Sequence, residues 1–249
     1  MKLFRFNIFF ISFFLLIIQF SFAQNSIQYK NIFDIALSSS NNNFTSAFSW
    51  ARLYGIGKKQ KFKIGYGARL NIAFMNKKDF VTAPASLTSG VNNPSALFSN
   101  NILANYDTLT LEKGQINALN LSIHLQYEIS ARLEVGFNID AIGFSFGKAQ
   151  TGVFQSSIYP NNSQTKQLTT QNARPTHLNL LLISDNDIGS LNSEIYLRYW
   201  LNNNWGIKAG GTFIFSEYTT DKKLALDNDR FRYKSLQLML GITYRLVKK

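Results

Sequence analysis

Two histidines, a pair of adjacent serines and one Asp-rich pentapeptide are the residues of this chain whose types first suggest chemistry. His177 lies beside Thr176 in a long polar stretch that also holds Ser156 and Ser157. A histidine within reach of a hydroxyl can activate it for acyl hydrolysis or transfer, but no spacing here encodes such a pair. Asp185-Asn186-Asp187-Ile188-Gly189 has the opening of a calcium loop. It lacks the remaining ligands and the closing glutamate, and local Asx-turn chemistry accounts for it. His124 sits in the middle of an alternating run, where a hydrogen-bonded interior imidazole is expected. Gly-rich phosphate loops, zinc spacings and paired catalytic carboxylates on a helix are all missing. No enzyme, cofactor or metal site is expected.

The charged residues are better organised. Asp34, Glu128, Glu134, Asp140 and Glu194 share one face of their segments with Lys63, Arg69, Arg198, Lys208 and Arg245. A solvated face needs no such balance, whereas buried charges persist only when paired. Together with His124 these residues are expected to form an ion network inside the molecule.

The elements that carry them are strands. From Ile116 to Ile129 the odd positions Leu119, Leu121, Ile123, Leu125 and Tyr127 are apolar, and the even positions Asn120, Ser122, His124, Gln126 and Glu128 are polar. Side chains change face at every residue of a strand, so this is a two-faced ribbon, with no competing helical period. Phe62–Phe74, Leu133–Ala141, Ile195–Leu201, Trp205–Phe215 and Leu236–Leu246 repeat it. A shorter strand surrounds Phe33, Ile35 and Leu37. Between Phe44 and Ile56, Arg52 shares the apolar face with Trp50 and Tyr54, so either a bulge re-aims the chain or the guanidinium snorkels.

Connections alternate in length. Short links fall at Lys58-Lys59-Gln60, Ser130-Ala131-Arg132 and Asn202-Asn203-Asn204, and odd-numbered turns put Ile129 opposite Leu133 and Leu201 opposite Trp205. Long ones run from Asn76 to Gln115, Lys148 to Gly189 and Thr219 to Arg230. The expectation is an all-β, eight-stranded antiparallel up-and-down transmembrane β-barrel with short periplasmic turns and long outer loops. Leu178–Ile183 is read as part of an extracellular β arm, with ten strands as the alternative.

Which face is outside decides between membrane and water. Gly65, Gly67, Gly136, Gly206 and Gly210 lie on the polar face, suiting a narrow lumen. Phe62, Tyr127, Tyr199, Trp205 and Tyr244 gather at the short-turn ends as an interfacial girdle. Lys2 and Arg5, an apolar stretch from Ile8 to Phe22 and a small-x-small site ending at Ala23 form an export signal. Residues 1–23 are therefore expected to be removed, leaving one barrel from 24 to 249 in the bacterial outer membrane. The net charge of +12 falls to +10 without Lys2 and Arg5. Its basic residues are spread over turns and the C-terminus, so nucleic acid is excluded as a partner. There is no cysteine for a disulfide or a lipoprotein anchor.

The closing Gly241-Ile242-Thr243-Tyr244-Arg245-Leu246 resembles the C-terminal signal of outer-membrane proteins, here with leucine last and Val247-Lys248-Lys249 following. The mature chain is similar to small barrels of the OmpA, OmpX and OmpW kind, and more closely to uncharacterised outer-membrane β-barrel proteins of diderm bacteria. That resemblance implies a monomer delivered to the barrel-assembly machinery through its C-terminal strand, in contact with outer-membrane lipids and lipopolysaccharide. Its implied role is envelope structure or surface interaction. A conduit for small hydrophobic molecules, a lipid A-modifying enzyme and a secretion-machine accessory stand as alternatives.

Overall fold

The computed structural model describes residues 29–90, 102–157, 168–182 and 186–246; the export signal lies outside them. The described residues are all-β and form a single antiparallel sheet of 11 strands. In chain order these are β1 (Tyr29–Ser40), β2 (Asn43–Ile56), β3 (Phe62–Thr82), β4 (Thr108–Glu128), β5 (Leu133–Phe146), β6 (Gln150–Gln155), β7 (Leu168–Pro175), β8 (Leu178–Leu180), β9 (Asn192–Trp200), β10 (Trp205–Thr220) and β11 (Arg230–Leu246).

The pairings close a ring through eight of them: β1–β2–β3–β4–β5–β9–β10–β11 and back to β1. Their short turns lie at one rim. Asn202 Oδ1 accepts from the backbone N–H groups of Asn204 (2.9 Å) and Trp205 (2.8 Å), and Ser130 Oγ accepts from Leu133 N–H (3.2 Å). These Asx- and Ser-turns hold the odd-numbered loops. The Ile129 and Leu201 N–H groups donate to Leu133 and Trp205 carbonyls, both at 2.9 Å, the register that equal parity on both sides requires.

At the far rim the sheet departs from the sequence expectation. The segment expected as a long loop from Asn76 to Gln115 continues as strand at both ends, since β3 extends to Thr82 and β4 begins at Thr108, whereas the loop between β10 and β11 falls where Thr219 to Arg230 was expected. Above the short β1–β2 hairpin, β11 pairs β3 directly, Phe231 with Thr82 and Arg232 with Val81. The β6–β7 hairpin bridges β4 to β10. The upper pairings therefore close a second ring, β3–β4–β6–β7–β10–β11. Leu178–Leu180 is no free arm: β8 pairs the top of β5 and lies in the wall.

The two rings have opposite insides. In the lower one the inward residues are mostly polar, with small apolar clusters at Ile32, Leu53 and Trp200 and at Ala36, Ala47, Tyr196 and Met239, and the outward ones are Phe, Leu, Ile, Tyr and Trp. In the upper one Met75, Phe80, Leu109, Leu111, Ile116, Phe154, Tyr218 and Phe231 form a buried apolar cluster. The faces exchange at a backbone kink. Lys77 has φ 42°, and opposite it Glu112 and Lys113 are exposed in succession, so inward positions change from odd to even on β3. A dry core under water and an apolar exterior in lipid each demand their own phase of alternation, and a local break in the ladder supplies the change.

Two local points follow from the pairings. β2 is regular, with no register shift at Arg52; the guanidinium stays on the outer face, donates to Asn31 Oδ1 (3.2 Å) and lies 5.8 Å from the Trp50 ring. On β5 the alternation breaks at Ala141, a bulge that pairs Leu121 with Ile142 and Ser122 with Asp140. Ile142, Phe144 and Phe146 then face outward.

Candidate functional site: a charged lumen

Inward side chains of the lower ring form one chain of alternating charge. Asp140 meets Arg69 (2.6 Å), Arg69 meets Glu194 (3.0 Å), and Glu194 meets Lys208 (2.6 Å). Lys208 reaches Asp34 (3.7 Å), Asp34 holds Arg198 (3.1 Å), and Arg198 meets Glu134 (3.4 Å). Glu134 then binds Lys63 (2.6 Å), which ends on Glu128 at the rim (3.1 Å). All but Glu128 are buried. Lys208 and Arg198 are direct cross-strand partners. Like charges so placed repel, and carboxylates offset them: Asp34 of β1 meets both, Glu134 of β5 meets Arg198 and Glu194 of β9 meets Lys208.

Asp140 is the upper hub. Besides Nε (2.8 Å) and Nη2 of Arg69 it accepts from Asn71 Nδ2 (3.1 Å), Asn120 Nδ2 (2.8 Å) and the Asn192 N–H (3.0 Å). The Ala141 bulge beside it lets β5 present this carboxylate inward while the strand above resumes its outward apolar phase. Asn138 links Arg69 to Glu194 by donating to the carboxylate (2.8 Å) and accepting from the guanidinium (2.8 Å). Near the rim, Thr243 Oγ1 donates to Asp34 and accepts from Arg198 Nε (2.9 Å).

Aromatic rings complete the filling. Tyr196 crosses the lumen, with Lys208 Nζ 4.3 Å and the Arg198 guanidinium 5.0 Å from its ring centre, and its hydroxyl accepts from Gln126 (2.9 Å). It fits because the position opposite is Gly136, where a Cβ would strike the phenol. His124 is buried, 2.9 Å from Ser122 Oγ; Gly67 leaves room for its ring.

Arg245 departs from the expected network. It sits at the rim, bonded to the Asn203 carbonyl (2.9 Å) and stacked 4.0 Å from the Trp200 ring. Tyr196, Trp200, Asn71, Asn138, Asn192 and Thr243 were not anticipated as partners. Their only sequence signal is parity on the polar face.

Phe62, Tyr127, Tyr199 and Trp205 are exposed on the outer face at the short-turn rim, with Tyr244 half-buried among them. Phe62 pairs Tyr127 across strands, and the Trp205 and Tyr244 rings are 4.8 Å apart.

The catalytic and metal readings find no assembly. Ser157 and Ser156 bond Asp107, the Ser157 N–H at 2.6 Å. His177 lines a shallow hollow with Phe146, Gly147, Ala149, Arg174 and Pro175, none of them a hydroxyl. In the pentapeptide, Asp185 lies outside the described residues, while Asp187 Oδ1 accepts from Leu182 N–H (2.7 Å) and its carbonyl from Arg230 (2.9 Å). The first is a local turn bond and the second ties that turn to β11; no cluster of metal-ligating residues occurs among the described residues.

Around this polar lumen every strand of the lower ring turns large apolar side chains outward, from Phe33 on β1 to Ile242 on β11. Such a surface is stable in hydrocarbon, where only helices and closed sheets satisfy their backbone groups. The described strands therefore have the build of a membrane-spanning β-barrel. No family model and no curated protein matches the sequence. Solved structures similar to it include a major outer membrane protein from Thermus thermophilus, 13% identical over 88% of this chain and 99% of that one, TM-score 0.36. The Yersinia pestis outer membrane protein Ail in a phospholipid bilayer nanodisc is 13% identical over 88% and 100%, TM-score 0.33. Neisserial surface protein A is 8% identical over 87% and 94%, TM-score 0.33.

Proposed function

We propose that this is an eight-stranded transmembrane barrel, sealed to solute, that acts through its outer surface in envelope structure or surface interaction. The observation that carries the reading is the stacking of two plugs. Eight strands leave an interior just wide enough for side chains, and here the long ones are tied into a continuous ion chain. Above it the apolar cluster of the upper ring excludes water. Between them, beside Asn71, Ile116, Asn192 and Ile214, the cavity is about 10 Å³, room for about one water.

The chain is a monomer in this reading, surrounded by outer-membrane lipid and lipopolysaccharide. Its C-terminal strand, β11, closes the ring on β1 and is the segment that engages the assembly machinery. No catalytic role is assigned to the lumen, whose charges are all occupied by one another. Planar-bilayer recording tests the seal. Purified protein should give no steady conductance above the lipid baseline. Stable porin-sized steps would overturn the plug and promote the conduit for small hydrophobic molecules.

A further inference from the structure

At the short-turn rim the lumen ends in a pocket of about 180 Å³, and the charge around it does not balance. The ion chain joins five carboxylates, Asp34, Glu128, Glu134, Asp140 and Glu194, to four cations, Lys63, Arg69, Arg198 and Lys208. At the mouth below it stand three more cations, Lys30 of β1, Lys59 of the β2–β3 turn and Arg245 of β11. Seven positive charges then face five negative ones, an excess of two. Lys30 and Lys59 form no ion pair among the described residues, and Arg245 is bonded to a carbonyl.

The pocket is built by the local fold. Gly57 at φ 78° and Gln60 at φ 47° turn the chain back after β2, and the Gln60 N–H donates to the Gly57 carbonyl (3.1 Å). Gly55 lets Gln60 lie against β2, because a Cβ there would come within 2.7 Å of the Gln60 Cβ. The turn so folded brings Lys59 and Gln60 into the lining beside Lys30. Lys63 enters from the interior side, buried, with two of its three donors on Glu128 (3.1 Å) and Glu134 (2.6 Å). One donor is left over. Glu128 also lines the pocket, but that same ammonium holds it. Leu53 belongs to the buried cluster with Ile32 and Trp200, which makes the wall on its side apolar.

Three lysines around one small pocket indicate the class of ligand. An ammonium is a compact point charge with rotatable donors, whereas planar bidentate binding of a carboxylate favours arginine. Ammoniums converging from a turn and two strands suit the tetrahedral oxygens of a phosphate. A phosphate dianion also cancels the excess of two charges, where a monocarboxylate cancels half of it. The volume, roughly that of six waters, accommodates a phosphate with a short ester arm. We propose that the short-turn mouth binds a dianionic phosphate group, free or as the monoester of a small periplasmic solute, on Lys30, Lys59 and Lys63. This rests on the reading of the chain as a barrel with its short turns in the periplasm. The filled lumen above keeps the bound group at the mouth.

Isothermal titration calorimetry of purified full-length protein in a non-ionic detergent tests it. Inorganic phosphate and glycerol 3-phosphate are titrated separately at about pH 8, where both are dianions. Phosphate should bind at one saturable site, with acetate roughly tenfold or more weaker. Tighter binding of the ester assigns the site to a monoester, and tighter binding of phosphate assigns it to the free ion. Lys30→Gln with Lys59→Gln should weaken either probe by roughly tenfold or more, since two charges at contact distance are lost. Lys58→Gln with Lys61→Gln removes the same charge from the same turn outside the pocket, and should change affinity by less than about twofold. No saturable binding of either probe, acetate binding as tightly as phosphate, or equal losses in the two lysine pairs would overturn the site. Gel mobility of the same preparations separates the two claims. A heat-modifiable protein that does not bind phosphate sinks only the pocket, whereas a protein with no heat-modifiable form sinks the barrel.

Discussion

Glu134 bridges two cations that approach it from different strands, Lys63 from β3 and Arg198 from β9. Removing a buried partner leaves charge uncompensated in a medium that solvates it poorly, at roughly 3–5 kcal/mol where burial is complete. Lys63 retains Glu128 and Arg198 retains Asp34, so Glu134→Gln should cost about 3 kcal/mol, the lower end of that range. Urea unfolding of the refolded barrel in vesicles measures it. The Lys77–Glu112 pair is the internal contrast, 4.0 Å apart with side chains 73% and 75% exposed. Glu112→Gln should change stability by less than about 1 kcal/mol. A Glu134 variant as tolerant as the Glu112 variant would mean the lumen is wet. At this scale the sequence was informative about charge and poor about partners. Balanced signs on one face marked the network, yet Asn71, Asn120 and Asn192 converge on Asp140 from three strands. Arg245 matched the parity rule and still fell outside, since parity fixes a face and says nothing of depth.

Among elements, the β1–β2 hairpin decides the outline of the barrel. Its turn at Asn41-Asn42 stops it below its neighbours, Asn42 taking φ 55°, and β11 crosses above it to β3. Ser40 Oγ and Ser235 Oγ lie 3.1 Å apart where the hairpin tip meets β11. Ser40→Cys with Ser235→Cys should therefore oxidise to a disulfide, because side chains this close satisfy its short Cβ separation. The chain has no cysteine of its own, so non-reducing mass spectrometry reads the bond directly. Two persistently free thiols would show that the tip does not dock there. Six of the eight two-faced segments were legible because their alternation is long, while the strand around Phe33 was short and that around Arg52 ambiguous. β6 and β7 were not, being six and eight residues and half-polar, and β8 showed only as the β arm at Leu178–Ile183. Short strands acquire their state from pairing, and pairing is non-local.

For the molecule as a whole, closure is the property that matters. A ring without edges keeps its backbone bonds in cold detergent. Unheated protein should thus run faster than boiled protein on a denaturing gel, and identical mobility would count against a closed ring. The upper ring adds a second expectation. Its apolar cluster is built like the core of a soluble barrel, with the Phe80 and Tyr218 rings edge to face at 5.2 Å. Tyr218→Ala should cost about 3–5 kcal/mol, as large aromatic truncations in cores do. Protease added outside intact vesicles should cleave the upper ring faster in that variant, while the lower ring stays protected.

Composition and period alone determined that the chain is all-β, two-faced and too apolar outside for water, because a strand's alternation records the two solvents it separates. They also determined the turns and their register, since two-residue periodicity must match across a hairpin. Only the tertiary structure decided that the chain reverses its two faces at Lys77 and Glu112, stacks a six-stranded ring on the lower one, and threads Asp140 to Glu128 into a single ladder of charge. The reason is physical. Alternation is a property of one strand, whereas lumen contacts, ring closure and the level at which faces exchange depend on how far neighbouring strands are staggered, and stagger is written in no single strand.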